Sequence, residues 1–421
     1  MTLAKIFSAR AGLRVIFFTA ILALMTPCAA SDELDAAEIR LACAICSMGA
    51  YSDDESYLMR SILTARGWQI EKLSRKNNLA DAKAFLVSRG NVKILAIAGT
   101  ESLKDVEVDF RVGRVRLSDN TTLDANEKKA DDKLFVHRGF RDYADVVLGD
   151  GLAERLKTSL AKNPRETLYI TGHSLGGSVA TIAAIRLADS GVSKSQVKVM
   201  SFGAMAVGSR ALAAAYDGKI DLTRVVMKGD VVKKSLRVLG YVQFGKTLEY
   251  RQSVTSDHLE HKMAVYLDCA LRDYLNAGGS LRYETQSKDN TPIYVAPIFL
   301  VKGSFHKTDK ELVLNALNDS LANHYSNLIF ADEHYIELKE KKLADEDFDE
   351  YVSVAKSLRC KYVLIRILNA KKVRDAQSGE KLVTLEEIFL DNNGIPLSMK
   401  TSGASTENLT VLEAALLGSS N

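Results

Sequence analysis

The 421 residues are 47% hydrophobic, 26% charged and 7% aromatic, which excludes collagenous, disordered and polytopic membrane classes and predicts a globular chain with a substantial core. Lys and Arg number 56 against 53 acids, and the three surplus cations, Lys5, Arg10 and Arg14, all lie in the first 30 residues, where no acid occurs. The remainder is charge-balanced, so neither nucleic acid nor an anionic membrane surface is expected as its main partner.

Those first 30 residues predict an export signal. A basic start ends at Arg14, an apolar run covers residues 15–25, and Pro27-Cys28-Ala29-Ala30 leads to Ser31. The run is shorter than the roughly 20 residues that span a bilayer, so cleavage after Ala30 and a periplasmic or secreted location are expected. Beyond it come Cys43, Cys46, Cys269 and Cys360. An oxidising compartment leaves two readings open, one local disulfide or several small buried thiols. No second cysteine or histidine pair stands at metal-binding spacing, so no metal is expected.

Residues 92–98, 167–171, 197–202 and 224–227 then read as short apolar strands, with helical periodicity over 175–188. This alternation predicts an α/β fold with a mostly parallel central sheet flanked by helices. Around Gly278-Gly279 and the polar residues 287–290 the pattern breaks, placing a linker at 281–292 between a domain over 31–280 and a small C-terminal α/β domain over 293–421. The latter should hold a strand at 293–301, a helix with Leu314, Leu317 and Leu321 on one face, strands at 327–333 and 362–368 around another helix, and a strand at 383–390.

Chemistry is concentrated in Thr167-Leu-Tyr-Ile-Thr-Gly172-His173-Ser174-Leu175-Gly176-Gly177. A strand, a GxSxG turn and a helix in that order form a nucleophile elbow. So sharp a turn forces Ser174 into a strained conformation and presses positions 172 and 176 against neighbouring backbone, where only Gly172 and Gly176 leave room. The helix that follows directs its positive end toward charge developing near the Ser174 hydroxyl.

With this elbow, the chain resembles the class 3 lipases, the fungal-lipase-like branch of the α/β-hydrolase fold. Ala98-Gly-Thr-Glu-Ser resembles that family's RGT-x-S segment, Val136-His-Arg-Gly-Phe140 its VHxGF, and Ser201-Phe-Gly203 with Val207-Gly208 its SFGxPRVG; the stretch from Gly240 to Tyr250 looks like the hairpin after the acid. The resemblance covers roughly residues 92–267 and implies a serine hydrolase that cleaves carboxylic esters through an acyl-enzyme, with no cofactor. It implies Ser174 as nucleophile and Asp230, in Arg224-Val-Val-Met-Lys-Gly-Asp230, as acid. His261 is implied as base because Tyr266 follows at the family's HxxxxY spacing, with His258 the alternative. Thr100 and the backbone N–H of Leu175 are the implied oxyanion donors.

The family's lid segment corresponds here to residues 101–109, which carry Val106 where a Trp is usual and five charges, Glu101, Lys104, Asp105, Glu107 and Asp109. That departure shifts the expected substrate from triglyceride toward short or polar lipid esters, phospholipid included. The element order after residue 293 resembles the small α/β domain of TolB-like periplasmic proteins, which implies docking to a cell-envelope partner. A non-catalytic envelope-binding protein on a hydrolase scaffold is the alternative class.

Overall fold

A computed structural model describes residues 32–51, 59–76, 81–99, 113–117, 122–123, 134–232, 236–251, 260–282, 290–344, 348–373, 380–407 and 409–419. The expected signal segment, Thr100, residues 101–109, most of 118–133 and His258 lie outside them.

Helix α1 (residues 32–49) precedes strands β1 (Gln69–Lys76), β2 (Asp81–Arg89) and β3 (Val92–Ile97). Short strands β4 (Arg114–Arg116), β5 (Thr122–Leu123) and β6 (Phe135–His137) follow and form a small sheet of their own. Then come α2 (Arg138–Val147), α3 (Leu152–Lys162), β7 (Thr167–His173), α4 (Leu175–Asp189), β8 (Val197–Phe202), α5 (Arg210–Tyr216), β9 (Asp221–Met227), β10 (Lys246–Tyr250) and α6 (Met263–Asn276). The main sheet runs β1-β2-β3-β7-β8-β9-β10, antiparallel from β1 to β3 and parallel from β3 to β10. This is an α/β-hydrolase sheet.

Both faces are covered, as the continuous apolar runs of the parallel strands require. In β3, Ile94 and Ala96 join the cluster under α1 and α6, while Leu95 and Ile97 join the cluster under α2 and α4. Helix α4 is apolar nearly all round and almost wholly buried, so the segment after the elbow is a rigid internal strut. The stretch ending in β10 departs from the expected hairpin. After β9 the chain crosses over and returns as β10 parallel to it, Lys246 opposite Thr223 and Tyr250 opposite Met227, because an antiparallel return needs only a tight turn and this chain instead takes a long connection.

A second sheet is built from β11 (Ile293–Val301), β12 (Leu328–Phe330), β13 (Tyr335–Leu338), β14 (Tyr362–Lys372), β15 (Lys381–Asp391) and β16 (Pro396–Ser405), ordered β12-β11-β14-β15-β16 with β13 also on β11. Its helices are α7 (Lys307–Leu321), α8 (Glu340–Ala344), α9 (Asp349–Ser357) and α10 (Val411–Gly418). Leu271 and Tyr274 of α6, Val313, Leu314 and Leu317 of α7, and Leu412 and Leu416 of α10 belong to one apolar cluster with α1. The two sheets therefore share a core. Polar ties reinforce it: Arg272 Nη2 lies 2.9 Å from Asp309 Oδ1, and Arg282 Nε 2.9 Å from Asp319 Oδ1.

Cys43, Cys46, Cys269 and Cys360 are buried thiols joined in no disulfide among the described residues, which answers the open disulfide question for the described chain. Cys43 and Cys46 lie in α1 against the main sheet, and burial pushes the Cys43 thiol up to about 12.

Candidate active site

The elbow takes the conformation its sequence requires. Ser174, between β7 and α4, has φ 54° and ψ −121°, a region that costs a non-glycine residue about 1–3 kcal/mol. A Cβ at position 172 would meet Gly176 backbone and lie 2.7 Å from Ile97 O; one at position 176 would strike Ile97 O and lie 2.9 Å from Ala98 C. Both glycines are therefore demanded by strand β3, which runs beside the turn. The Ser174 N–H donates to Phe202 O at 2.9 Å, tying the turn to β8 as well.

Three residues separated by up to 87 positions converge at this turn. Ser174 Oγ lies 2.9 Å from His261 Nε2, and His261 Nδ1 lies 2.9 Å from Asp230 Oδ2. A carboxylate only accepts, so Nδ1 carries the proton and Nε2 is left to accept from the serine hydroxyl. An imidazole held in this way is set to take a proton from the serine as it attacks. Asp230 follows β9 at its C-terminal end, whereas Asp221 opens that strand at the opposite end of the sheet.

Asp230 is 3% exposed, and burial alone would raise its pKa. His261, Tyr266 Oη at 2.6 Å and the Val232 N–H at 2.9 Å all donate to it and pull it below the usual carboxylate range. Tyr266 in turn accepts the Met227 N–H at 3.0 Å, so its hydroxyl is fixed as donor toward the carboxylate. Gly203, at φ 58°, completes the wall: a Cβ there would lie 2.9 Å from Asp230 Oδ2 and 3.3 Å from His261 Cε1.

The elbow histidine packs behind this chain rather than in it. His173 Nε2 donates to the His261 carbonyl at 2.7 Å, so its Nδ1 accepts from Tyr51 Oη at 2.7 Å. Burial, with the neighbouring His261, lowers His173 to about 3, which keeps it neutral. Tyr51 directly follows α1, so the N-terminal segment supports the backbone that carries His261. That role was not visible in sequence; the pair is 122 residues apart and belongs to no periodic pattern. His137 is buried and stacks on Phe140 at 4.1 Å, outside the reacting group of residues.

Leu175 opens α4, so its N–H stands at the positive end of the helix beside Ser174. Thr100, the other expected oxyanion donor, lies outside the described residues. Among the described residues no group of three or more His, Cys, Asp and Glu side chains is arranged to hold a metal ion, and no helix is long and apolar enough to cross a membrane.

Fold and site together define an α/β-hydrolase with a Ser-His-Asp chain at a strand-to-helix elbow. Residues 94–238 match the family model described as lipase (class 3), to which this part of the chain is similar. Among similar proteins, the lipase ZK262.3 of Caenorhabditis elegans is 41% identical over 76 residues, covering 18% of this chain and 22% of that one. The secreted mono- and diacylglycerol lipase A of Penicillium cyclopium is 35% identical over 97 residues, 23% of this chain and 31% of that one. The chain thus aligns with less than a third of either relative. Among solved structures, lipase II from Rhizopus niveus superposes with a TM-score of 0.42 at 19% identity, over 53% of this chain and 82% of that one. The lipase from Rhizopus microsporus var. chinensis gives 0.41 at 19%, over 54% and 76%.

Proposed function

We propose that this protein is an exported serine esterase that hydrolyses carboxylic esters of lipids. Ser174 attacks the ester carbonyl as His261 Nε2 takes its proton, and Asp230 holds the imidazole and stabilises its charged form. The Leu175 N–H and Thr100 receive the oxyanion, the alcohol leaves with the proton from His261, and water then releases the acid by the same route. The observation that carries this reading is the unbroken Ser174–His261–Asp230 chain, both links 2.9 Å, with the nucleophile on a strained elbow.

The substrates proposed are short-chain or partial acylglycerols and related polar lipid esters. The charged 101–109 stretch supports this over bulk triglyceride, as does the mono- and diacylglycerol lipase relative. Export with cleavage after Ala30 rests on the basic start, apolar run and Pro27-Cys28-Ala29-Ala30 of the sequence, and one relative is a secreted enzyme. Comparing hydrolysis of monoacyl-, diacyl- and triacylglycerols and a phospholipid, each with Ser174→Ala as control, tests the reading. A soluble monoacyl ester should be cleaved fastest; triglyceride cleaved fastest overturns the substrate assignment, and hydrolysis surviving in Ser174→Ala overturns the mechanism.

A further inference from the structure

The run Tyr362-Val-Leu-Ile-Arg366-Ile-Leu368 places one charge in the middle of an apolar strand. Strand periodicity puts Arg366 on the face between Leu364 and Leu368, toward α7, and it is 2% exposed. Among the described residues its one hydrogen bond runs from Nη2 to Asn318 Oδ1 at 2.5 Å, a neutral acceptor, and its Nε has no partner. Glu387 stands opposite on β15; burial raises its carboxyl while the Arg366 charge pulls it down, and among the described residues the two form no ion pair. Burial lowers Arg366 only to about 10, so the guanidinium stays charged at neutral pH. A buried charge with no hydrogen-bonded counter-ion is costly unless something else supplies one.

A cavity of about 1280 Å³ opens beside it, between α6, α7 and the second sheet. Arg272 of α6 lines the same space. Asp268 and Asp309 hold two of its nitrogens at 2.6 and 2.9 Å, while its buried Nη1 has no partner among the described residues. The other cations of the wall are occupied, Arg282 by Asp319 at 2.9 Å and Lys310 by Glu337 at 2.8 Å. Asp273 is likewise taken up, by Arg40 at 2.5 Å. What remains is unused guanidinium capacity at the floor, with Leu275, Val295, Ala296, Leu312 and Phe330 as apolar lining. Glu311 and Glu333 are exposed members of the wall and repel a polyanion, which leaves a single negative charge as the fitting head.

We propose that this cavity binds an amphiphilic carboxylate, its head forked on Arg366 and its apolar body along Leu312, Val295 and Phe330. A planar carboxylate matches the guanidinium fork, and the apolar wall supplies the rest of the affinity. The site stands apart from Ser174 and does not rest on the esterase reading.

The test is calorimetric titration of the full chain, as the Ser174→Ala protein, with decanoate below its micellar concentration. Decyl phosphate, decanol and decyltrimethylammonium are run in parallel. Saturable 1:1 binding of decanoate is expected, weakened roughly tenfold or more by Arg366→Met, with decanol and decyltrimethylammonium far weaker. Asn315→Trp, an exposed position on the cavity wall, should weaken binding similarly, and it carries the test alone if Arg366→Met does not fold. Equal affinity in both folded variants overturns the site, because binding then lies elsewhere. Decyl phosphate bound more tightly than decanoate overturns the carboxylate assignment, as does a preference for decyltrimethylammonium.

Discussion

Asp230 beside the elbow and Glu413 at the start of α10 are both carboxylates buried to 3% exposure or less, yet their surroundings push them in opposite directions. Asp230 collects donors from His261, Tyr266 and Val232 and is held ionised. Glu413 accepts only at Oε2, from Thr410 in a capping box. Its Oε1 is bare and Asp268 is near, so burial raises it to about 8. The same desolvation acts on both; the number of donors decides the sign. In the Ser174–His261–Asp230 chain the polar atoms are committed to one geometry, although Ser201 Oγ of β8 nearby is buried without a hydrogen-bond partner among the described residues. Where the second sheet meets α6, Arg272, Asp309, Arg366 and Glu413 each keep a buried polar atom without a partner among the described residues. The first region is preorganised for a reaction, and the second carries charge that protonation or a ligand must compensate.

The largest expected effect falls on the committed side. Asp230→Asn keeps the shape but offers Nδ1 the wrong partner, so kcat for a soluble ester should fall on the order of 10⁴-fold with the fold intact by circular dichroism. A loss below tenfold would mean that Asp230 does not orient the base.

Stability against pH sharpens the contrast. The raised Glu413 contributes stability that is fully present below the ordinary glutamate range and is lost as pH rises toward about 8, by up to ~1.4 kcal/mol per unit. The lowered Asp230 contributes stability present above the ordinary carboxylate range and lost as pH falls below it. Glu413→Gln preserves the capping box and should therefore flatten the decline in urea-unfolding free energy between pH 5 and pH 8. An unchanged decline would place the titrating group elsewhere.

Gly203→Ala should cost about 1–3 kcal/mol and reduce kcat, since it combines a left-handed φ with a methyl pressed on the Asp230–His261 pair. Thermal melts alongside kinetics check it; wild-type values in both would contradict the close packing. The smallest effect is assigned to Tyr266→Phe. It removes one of three donors to Asp230, and roughly a tenfold drop in kcat is expected. Unchanged kcat would reduce Tyr266 to a packing residue.

The strands that carry the elbow could be read from the sequence because apolar runs and glycine spacing are local signals, and the order Ser174, Asp230, His261 follows from the chain order of loops at one end of a parallel sheet. Pairing across long connections is not local. The stretch around Tyr250 has the composition of a hairpin arm, and its parallel seat on β9 is set by the crossover. The link from Tyr51 through His173 to the His261 carbonyl, and the sharing of one core by α1, α6, α7 and α10, likewise depend on contacts that no periodicity announces. Arg366 did leave a trace, a lone arginine in an apolar strand, but its meaning appears only with the cavity beside it.

The most direct test is labelling with a fluorophosphonate, which reacts with an activated serine, followed by mass mapping of the adduct. A single adduct on Ser174, abolished in His261→Ala although that variant keeps the hydroxyl, is the predicted result. Folded protein that takes up no label, or labels equally well without His261, would contradict the claim that these residues form a working nucleophile and would favour a binding scaffold instead.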